Sequence, residues 1–267
     1  RPVIASLGAT AADGVATGAR TAGSHGPALF FVHGVGSTAA IWDRQLEAFA
    51  GGYRCFAIEL RGNGALADPP PEAISRAGYA LDVLAVADAA GAERFTIVGC
   101  SLGGVVAFEL LASAPQRVEA AVFVGSFARY PNAQAYADGI AAAVREAGDM
   151  RTFARARAAK LALPPERERE TIEQMACKSL PCYLAATQAT WTGDYRELLP
   201  RIAVPALVAC GENDAVAPPE LSREIAGGIP GASFVAIEGA GHVANADAPE
   251  RFNAVLRAFL NASGRVP

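Results

Sequence analysis

Short apolar runs separated by amphipathic stretches set the pattern of this chain. Residues 28–32, 53–59, 94–98, 118–124, 205–210 and 233–237 are the candidate strands. The continuous apolar runs among them suit strands covered on both faces of a parallel sheet. Helices are expected over about 39–50, 74–90, 102–114, 219–227 and 249–260, the last with Phe252, Val255, Leu256 and Phe259 at helical spacing. Strand and helix in alternation predict a mostly parallel sheet with right-handed crossovers and helices on both faces. Residues 2–23 alternate only weakly and hold Ala-Asp-Gly at 12–14. That is a hairpin signal, placing an antiparallel pair at the sheet edge.

The alternation stops at Ser126. From there to Pro200 no buried strand is legible, only helical stretches rich in Ala, Arg and Glu, broken by Pro131, Pro164-Pro165 and Pro181. The expected organisation is therefore nested: a core from 1–125 and 201–267, and a helical cap over 126–200. The insertion carries ten basic and nine acidic side chains, including both lysines, Lys160 and Lys178. The remainder carries 13 basic and 18 acidic ones. Mixed charge of this kind suits a solvated lid, and it can also present cations to an acidic substrate.

Composition narrows the classes. With 52% apolar and 19% charged residues over 267 positions, the chain is globular and long enough to bury a substantial core. A net charge of −4 offers no footprint for nucleic acid. No apolar run approaches the roughly 20 residues of a membrane span. The N-terminus shows no charged-then-apolar leader, although the chain opens at Arg1 without a Met, which leaves an upstream segment open. Five cysteines, Cys55, Cys100, Cys177, Cys182 and Cys210, are scattered with no Cys-x-x-Cys and no His at zinc spacing. The expectation is a cytoplasmic protein with buried reduced thiols, needing no metal and no cofactor.

Chemistry concentrates at Phe95–Gly104, an apolar run followed by Gly99-Cys100-Ser101-Leu102-Gly103 and a helical stretch. A strand turning sharply into a helix, with glycines on either side of a serine, pushes the hydroxyl out and aims helix N–H groups at whatever reacts with it. Ser101 is the candidate nucleophile. Centring the pattern on Cys100 would require Gly at Val98 and Leu102. A serine needs a base and a group that orients the base. Of three histidines, His25 has no catalytic context and His33 sits in a His-Gly turn that organises a loop. His242 follows the last strand in a Gly-rich loop and is the candidate base. Asp214, just past the strand at 205–210, is the candidate acid, with Glu212, Glu238 and Asp247 as rivals. Both positions lie at strand C-terminal ends, where open α/β sheets bind ligands. The Val35 and Leu102 amides are the candidate oxyanion donors.

His33-Gly34, Gly-Cys-Ser-Leu-Gly-Gly at 99–104, Gly-Glu-Asn-Asp at 211–214 and Gly-Ala-Gly-His at 239–242 together resemble the α/β-hydrolase superfamily, from about residue 27 to the end. The resemblance implies Ser101, Asp214 and His242 as the triad, Val35 and Leu102 as oxyanion donors, and 126–200 as the helical cap. One departure is Asn63 in Arg-Gly-Asn-Gly, where many members carry His. Residues 179–219 and Gly-His-Val-Ala-Asn-Ala-Asp-Ala-Pro-Glu are most similar to 3-oxoadipate enol-lactonases, which open a small acidic lactone in aromatic degradation. That implies a cofactor-free serine hydrolase of a small ester or lactone. It would give Arg129, Arg151, Arg155 and Lys160 of the cap a carboxylate to bind. The C–C bond hydrolases of meta-cleavage pathways are a rival class that usually places Trp after the catalytic His, where Val243 stands here. General carboxylesterases, acyltransferases and hydrolase-fold ligand receptors are further rival classes. Dehalogenases and epoxide hydrolases carry Asp at the position of Ser101.

Overall fold

The computed structural model describes residues 2–66, 68–160, 163 and 165–267; the side chain of Lys160 lies outside the described residues. Eight strands form one sheet: β1 (Ala5–Thr10), β2 (Ala16–Ala22), β3 (Ala28–Val32), β4 (Arg54–Glu59), β5 (Phe95–Cys100), β6 (Val118–Val124), β7 (Ala206–Gly211) and β8 (Ser233–Ile237). Their spatial order is β1-β2-β4-β3-β5-β6-β7-β8. The edge hairpin β1–β2 pairs antiparallel, and β2 meets β4 antiparallel. Every other pairing is parallel.

Side chains of each inner strand alternate between two cores. On β3, Phe30 and Val32 face one core while Leu29 and Phe31 face the other. The helices are α1 (Asp43–Phe49), α2 (Arg76–Ala89), α3 (Leu102–Ser113), α4 (Ala133–Ala147), α5 (Met150–Lys160), α6 (Pro165–Ala176), α7 (Leu180–Trp191), α8 (Pro219–Gly228), α9 (Ala244–Asp247) and α10 (Pro249–Ala262). Leu46 and Phe49 of α1 pack with Phe252, Leu256 and Leu260 of α10 beneath one face. Tyr79, Val83 and Val86 of α2, Val106 and Phe108 of α3 and Ile225 of α8 cover the other. Burying each such side chain contributes roughly 1.5–3 kcal/mol.

Most expected elements match to within two residues at each end, and two features differ further from the sequence pattern. The stretch expected as one helix over 39–50 begins as a 3-10 turn at Ala39–Trp42 before α1. The short α9 has no counterpart among the expected helices. Four helices, α4 to α7, and no strand among the described residues occupy 126–200. The insertion's two ends meet where Arg129 and Asp194 form an isolated antiparallel bridge and the Tyr195 N–H donates to the Ala128 carbonyl at 2.8 Å. Four of the five cysteines are buried as expected, and Cys177 is exposed.

Candidate active site

The loops after β3, β5, β6, β7 and β8 converge at the carboxyl edge of the sheet. At the β5–α3 turn, Ser101 has φ 54° and ψ −113°, a left-handed conformation that costs a non-glycine residue roughly 1–3 kcal/mol. Packing around the turn enforces it. A Cβ on Gly99 would lie 2.1 Å from the Gly103 carbonyl, and one on Gly103 2.1 Å from that of Val32. Hydrogen bonds hold the turn as well: the Ser101 N–H donates to the Val124 carbonyl at 2.9 Å, and Ser126 Oγ donates to the Ser101 carbonyl at 3.0 Å. These bonds leave the Ser101 hydroxyl free to face a cavity. Cys100 beside it is buried, and desolvation pushes its thiol far up, so it supplies no thiolate.

His242 lines the same cavity as Ser101. Its Nδ1 lies 3.0 and 2.9 Å from the two carboxylate oxygens of Asp214. The Asp214 side chain is fully buried, and its Oδ1 accepts the N–H groups of Val216 and Ala217 at 2.9 and 2.8 Å. Those bonds fix the carboxylate, which in turn assigns the proton to Nδ1 and leaves Nε2 as the basic nitrogen. The rival acids do other work. Glu212 accepts from the Gly239 N–H at 3.3 Å, and Glu238 pairs with Arg251 at 3.2 Å. Asp247 lines the cavity and accepts the Gly241 N–H at 3.1 Å, with burial raising its pKa. His33 is buried, its Nδ1 2.9 Å from the Gly34 carbonyl while Nε2 accepts the Leu60 N–H at 3.3 Å. It is a loop organiser.

Leu102 is the first residue of α3, where backbone N–H groups have no intrahelical partner. Val35 lies in the turn after β3, closed by the Ser37 N–H donating to the Gly34 carbonyl at 3.2 Å. Among the described residues neither the Val35 nor the Leu102 N–H has a hydrogen-bond partner. No described hydrogen bond joins Ser101 Oγ to His242. Such a contact commonly tightens only when substrate arrives.

The cavity has a volume of about 150 Å³. The sheet edge forms its floor, and the insertion roofs it with Arg157 of α5, Arg167, Thr171, Gln174 and Met175 of α6, and Trp191 of α7. Of the expected substrate cations, Arg129, Arg151 and Arg155 do not line it. Arg151 pairs with Glu173 at 3.0 Å and Arg155 is exposed, because both project from the outer face of α5. The inner face is set by Met150, Phe153, Ala154 and Ala158, and Arg157 lies in phase with them. Arg129 is held at the base of the insertion in the bridge to Asp194, beside a separate surface cleft with Arg196 and Glu224. Lys160 closes α5, and its side chain lies outside the described residues. Arg157 and Arg167 are the cations the sequence pattern did not single out. Among the described residues, no cluster of three or more His, Cys, Asp or Glu could hold a metal ion.

A sheet of this order, with a strained serine after β5, an acid after β7 and a histidine after β8, defines a hydrolase built on a mostly parallel sheet. The chain belongs to the α/β-hydrolase fold family, whose model matches residues 27–249. It is 28% identical to a putative carbamate hydrolase, RutD, of Azorhizobium caulinodans, over 88% of this chain and 91% of that one. It is likewise 28% identical to 3-oxoadipate enol-lactonase 2 of Acinetobacter baylyi, over 88% of each chain. Among solved structures it is similar to a hydrolase from Pseudomonas aeruginosa PA01, with a TM-score of 0.86 and 30% identity, covering 96% of this chain and 98% of that one.

Proposed function

We propose that this chain is a cofactor-free serine hydrolase that opens a small ester or lactone through Ser101, His242 and Asp214, with 126–200 as its cap over a core of 1–125 and 201–267. His242 Nε2 takes the Ser101 proton as Oγ attacks the acyl carbonyl. The Val35 and Leu102 N–H groups hold the developing oxyanion, each worth about 3 kcal/mol. His242 then protonates the leaving alkoxide or enolate, and the same base activates the water that clears the acyl-enzyme. Asp214 fixes the imidazole tautomer and balances its charge while it is protonated. The observation that carries this reading is the strained Ser101 sharing one roofed cavity with a histidine held by a buried carboxylate.

The roof supports a substrate with a carboxylate. Arg157 is half-buried at the cavity with no ion pair among the described residues, whereas Arg167 is already countered by Glu170 and lies 3.9 Å from Asp247. A small acidic lactone of the 3-oxoadipate enol-lactone type fits a cation so placed, in keeping with the lactonase relative. The carbamate hydrolase relative makes a small carbamate the second substrate to try. The test is turnover of the enol-lactone, a short-chain aryl ester and a carbamate by wild type and Ser101→Ala. Lactone opening that falls by on the order of 10⁵-fold or more in S101A is the expected result. Undiminished turnover in S101A overturns the serine mechanism; ester cleavage without lactone opening overturns the substrate class alone.

A further inference from the structure

Lys178 lies on the short link between α6 and α7, yet it is only 6% exposed. An ammonium is rarely found so deep unless its N–H groups are satisfied. Here Nζ donates to the Ser37 carbonyl at 2.8 Å and to Asn63 Oδ1. Asn63 is itself locked. Its Nδ2 donates to the Leu60 and Arg61 carbonyls, each at 2.9 Å, which turns Oδ1 toward the lysine. A lysine offers only donors, so the residue at 63 must present an acceptor at every pH, and an amide does this where a protonated imidazole could not.

Ser37 closes the turn that begins at Gly34 and contains Val35. The ammonium therefore grips this turn from outside the substrate cavity, whose lining includes Ser37 but not Lys178. A gap of about 10 Å³, lined by Val35, Gly36, Asn63, Leu102 and Lys178 among others, adjoins the two candidate oxyanion donors. A second tie runs from Ser37 Oγ to Gln174 of α6 at 2.9 Å. Together they fasten the turn to the insertion.

We propose that Lys178 is a positioning residue: as an ammonium it ties the Gly34–Ser37 turn to Asn63 and to the insertion, and so sets where the Val35 N–H points. The inference rests on Val35 serving as an oxyanion donor in the reaction proposed above. Burial lowers the pKa of Lys178 to about 8. The titratable groups facing it are Glu59 at the end of β4, Asp68 in the following loop and Cys177 next to it. Arg61, Tyr79, Cys182 and Tyr183 line the adjoining gap. Glu59 accepts the Ala39 N–H at 3.3 Å, with His33 Nε2 3.4 Å away. Deprotonation leaves Lys178 weaker donors, so the turn loosens as pH rises through about 8.

The experiment is steady-state hydrolysis of a short-chain aryl ester across about pH 7 to 10 by wild type, Lys178→Met, Lys178→Gln and Ser101→Ala. Expected are a roughly 10–100-fold lower kcat in K178M with KM little changed, and an alkaline fall of wild-type kcat that both Lys178 variants lack. K178Q, which keeps an N–H donor without a titrating charge, should recover part of the loss. A folded K178M with wild-type kcat, or one that keeps the alkaline fall, overturns the proposal. Should K178M fail to fold, K178Q and wild type decide: a wild-type kcat flat across that range overturns it equally. S101A separates the two readings. Turnover retained in S101A discards the serine mechanism, whereas an inactive S101A beside a fully active K178M discards only the role of Lys178.

Discussion

Replacing Arg157 with Gln isolates the contribution of one charge to substrate choice. The side chain lines the cavity, is half-buried and has no carboxylate partner among the described residues. A substrate carboxylate 4 Å from the guanidinium gains about 4 kcal/mol at an effective dielectric near 20. Partial exposure screens some of this, and both ions lose water on pairing. A charge-assisted hydrogen bond in such a setting nets about 1.5–3 kcal/mol. The expected loss in kcat/KM is therefore roughly 10–150-fold for a substrate bearing a carboxylate. A matched substrate of the same length without the carboxylate should change by less than about threefold, since Gln keeps most of the volume. The assay compares aryl monoesters of a dicarboxylic acid with aryl esters of the corresponding monocarboxylic acid, at low and at raised salt. Added salt should shrink the wild-type preference and leave R157Q unmoved. Equal loss on both substrates, or no loss on either, refutes the reasoning that Arg157 meets a carboxylate.

Gly125→Ala puts a Cβ at φ 51° and 2.7 Å from the His242 carbonyl. It should cost about 1–2 kcal/mol in a urea melt and lower kcat by up to roughly 100-fold, because the base is displaced with the backbone. Asp82→Ala strips Arg61 of a fully buried partner at 2.8 Å and should cost about 3–5 kcal/mol in the same melt, leaving kcat per folded molecule intact. Lys178 binds its proton more weakly in the native state than at its ordinary pKa of 10.5, so between about 8 and 10.5 the unfolded chain holds more protons. Stability should then rise with pH across that window. The rise approaches about 3 kcal/mol at its upper end. The difference between wild-type and K178M urea midpoints against pH reads it, and no divergence there removes the premise. Its direction is opposite to that expected for kcat.

Much of the fold and site was legible in the sequence because it rests on local pattern. The strands at Ala28–Val32, Val118–Val124 and Ser233–Ile237 match the expected runs residue for residue. The β1–β2 hairpin followed from its turn. The four-residue α9 escaped because it is too short for a helical period to register and Pro249 begins a new helix at once. The insertion was legible as helical but its faces were not resolved. Arg151, Arg155 and Arg157 share one helix, and only the packing of Phe153, Ala154 and Ala158 decides which arginine faces the cavity. Lys178 carried no signal at all. Its partners Ser37 and Asn63 are 141 and 115 residues away in the chain, so only the fold makes that ammonium a buried one.

The parts of the site differ in what holds them. Backbone groups hold the chemistry: the Val124 carbonyl on the Ser101 N–H, and the Val216 and Ala217 amides on Asp214. Such bonds depend on strand register and turn shape, and survive most side-chain changes around them. The roof is held otherwise, by the side chains of α5, α6 and α7, and reaches the core through few polar ties. Among those ties are Tyr130 to the Val216 carbonyl at 2.8 Å, Ser37 to Gln174, Lys178 to Ser37 and Asn63, Arg76 to the Ala189 carbonyl at 3.2 Å, and Tyr195 to Glu109 at 2.8 Å. Three of them, one at Val216 and two at Ser37, land within three residues of Asp214 and Val35. Whatever shifts the roof is thus passed to the loop of Asp214 and the turn of Val35. A substrate that draws the roof down onto Arg157 would, by the same contacts, steady the groups that react with it.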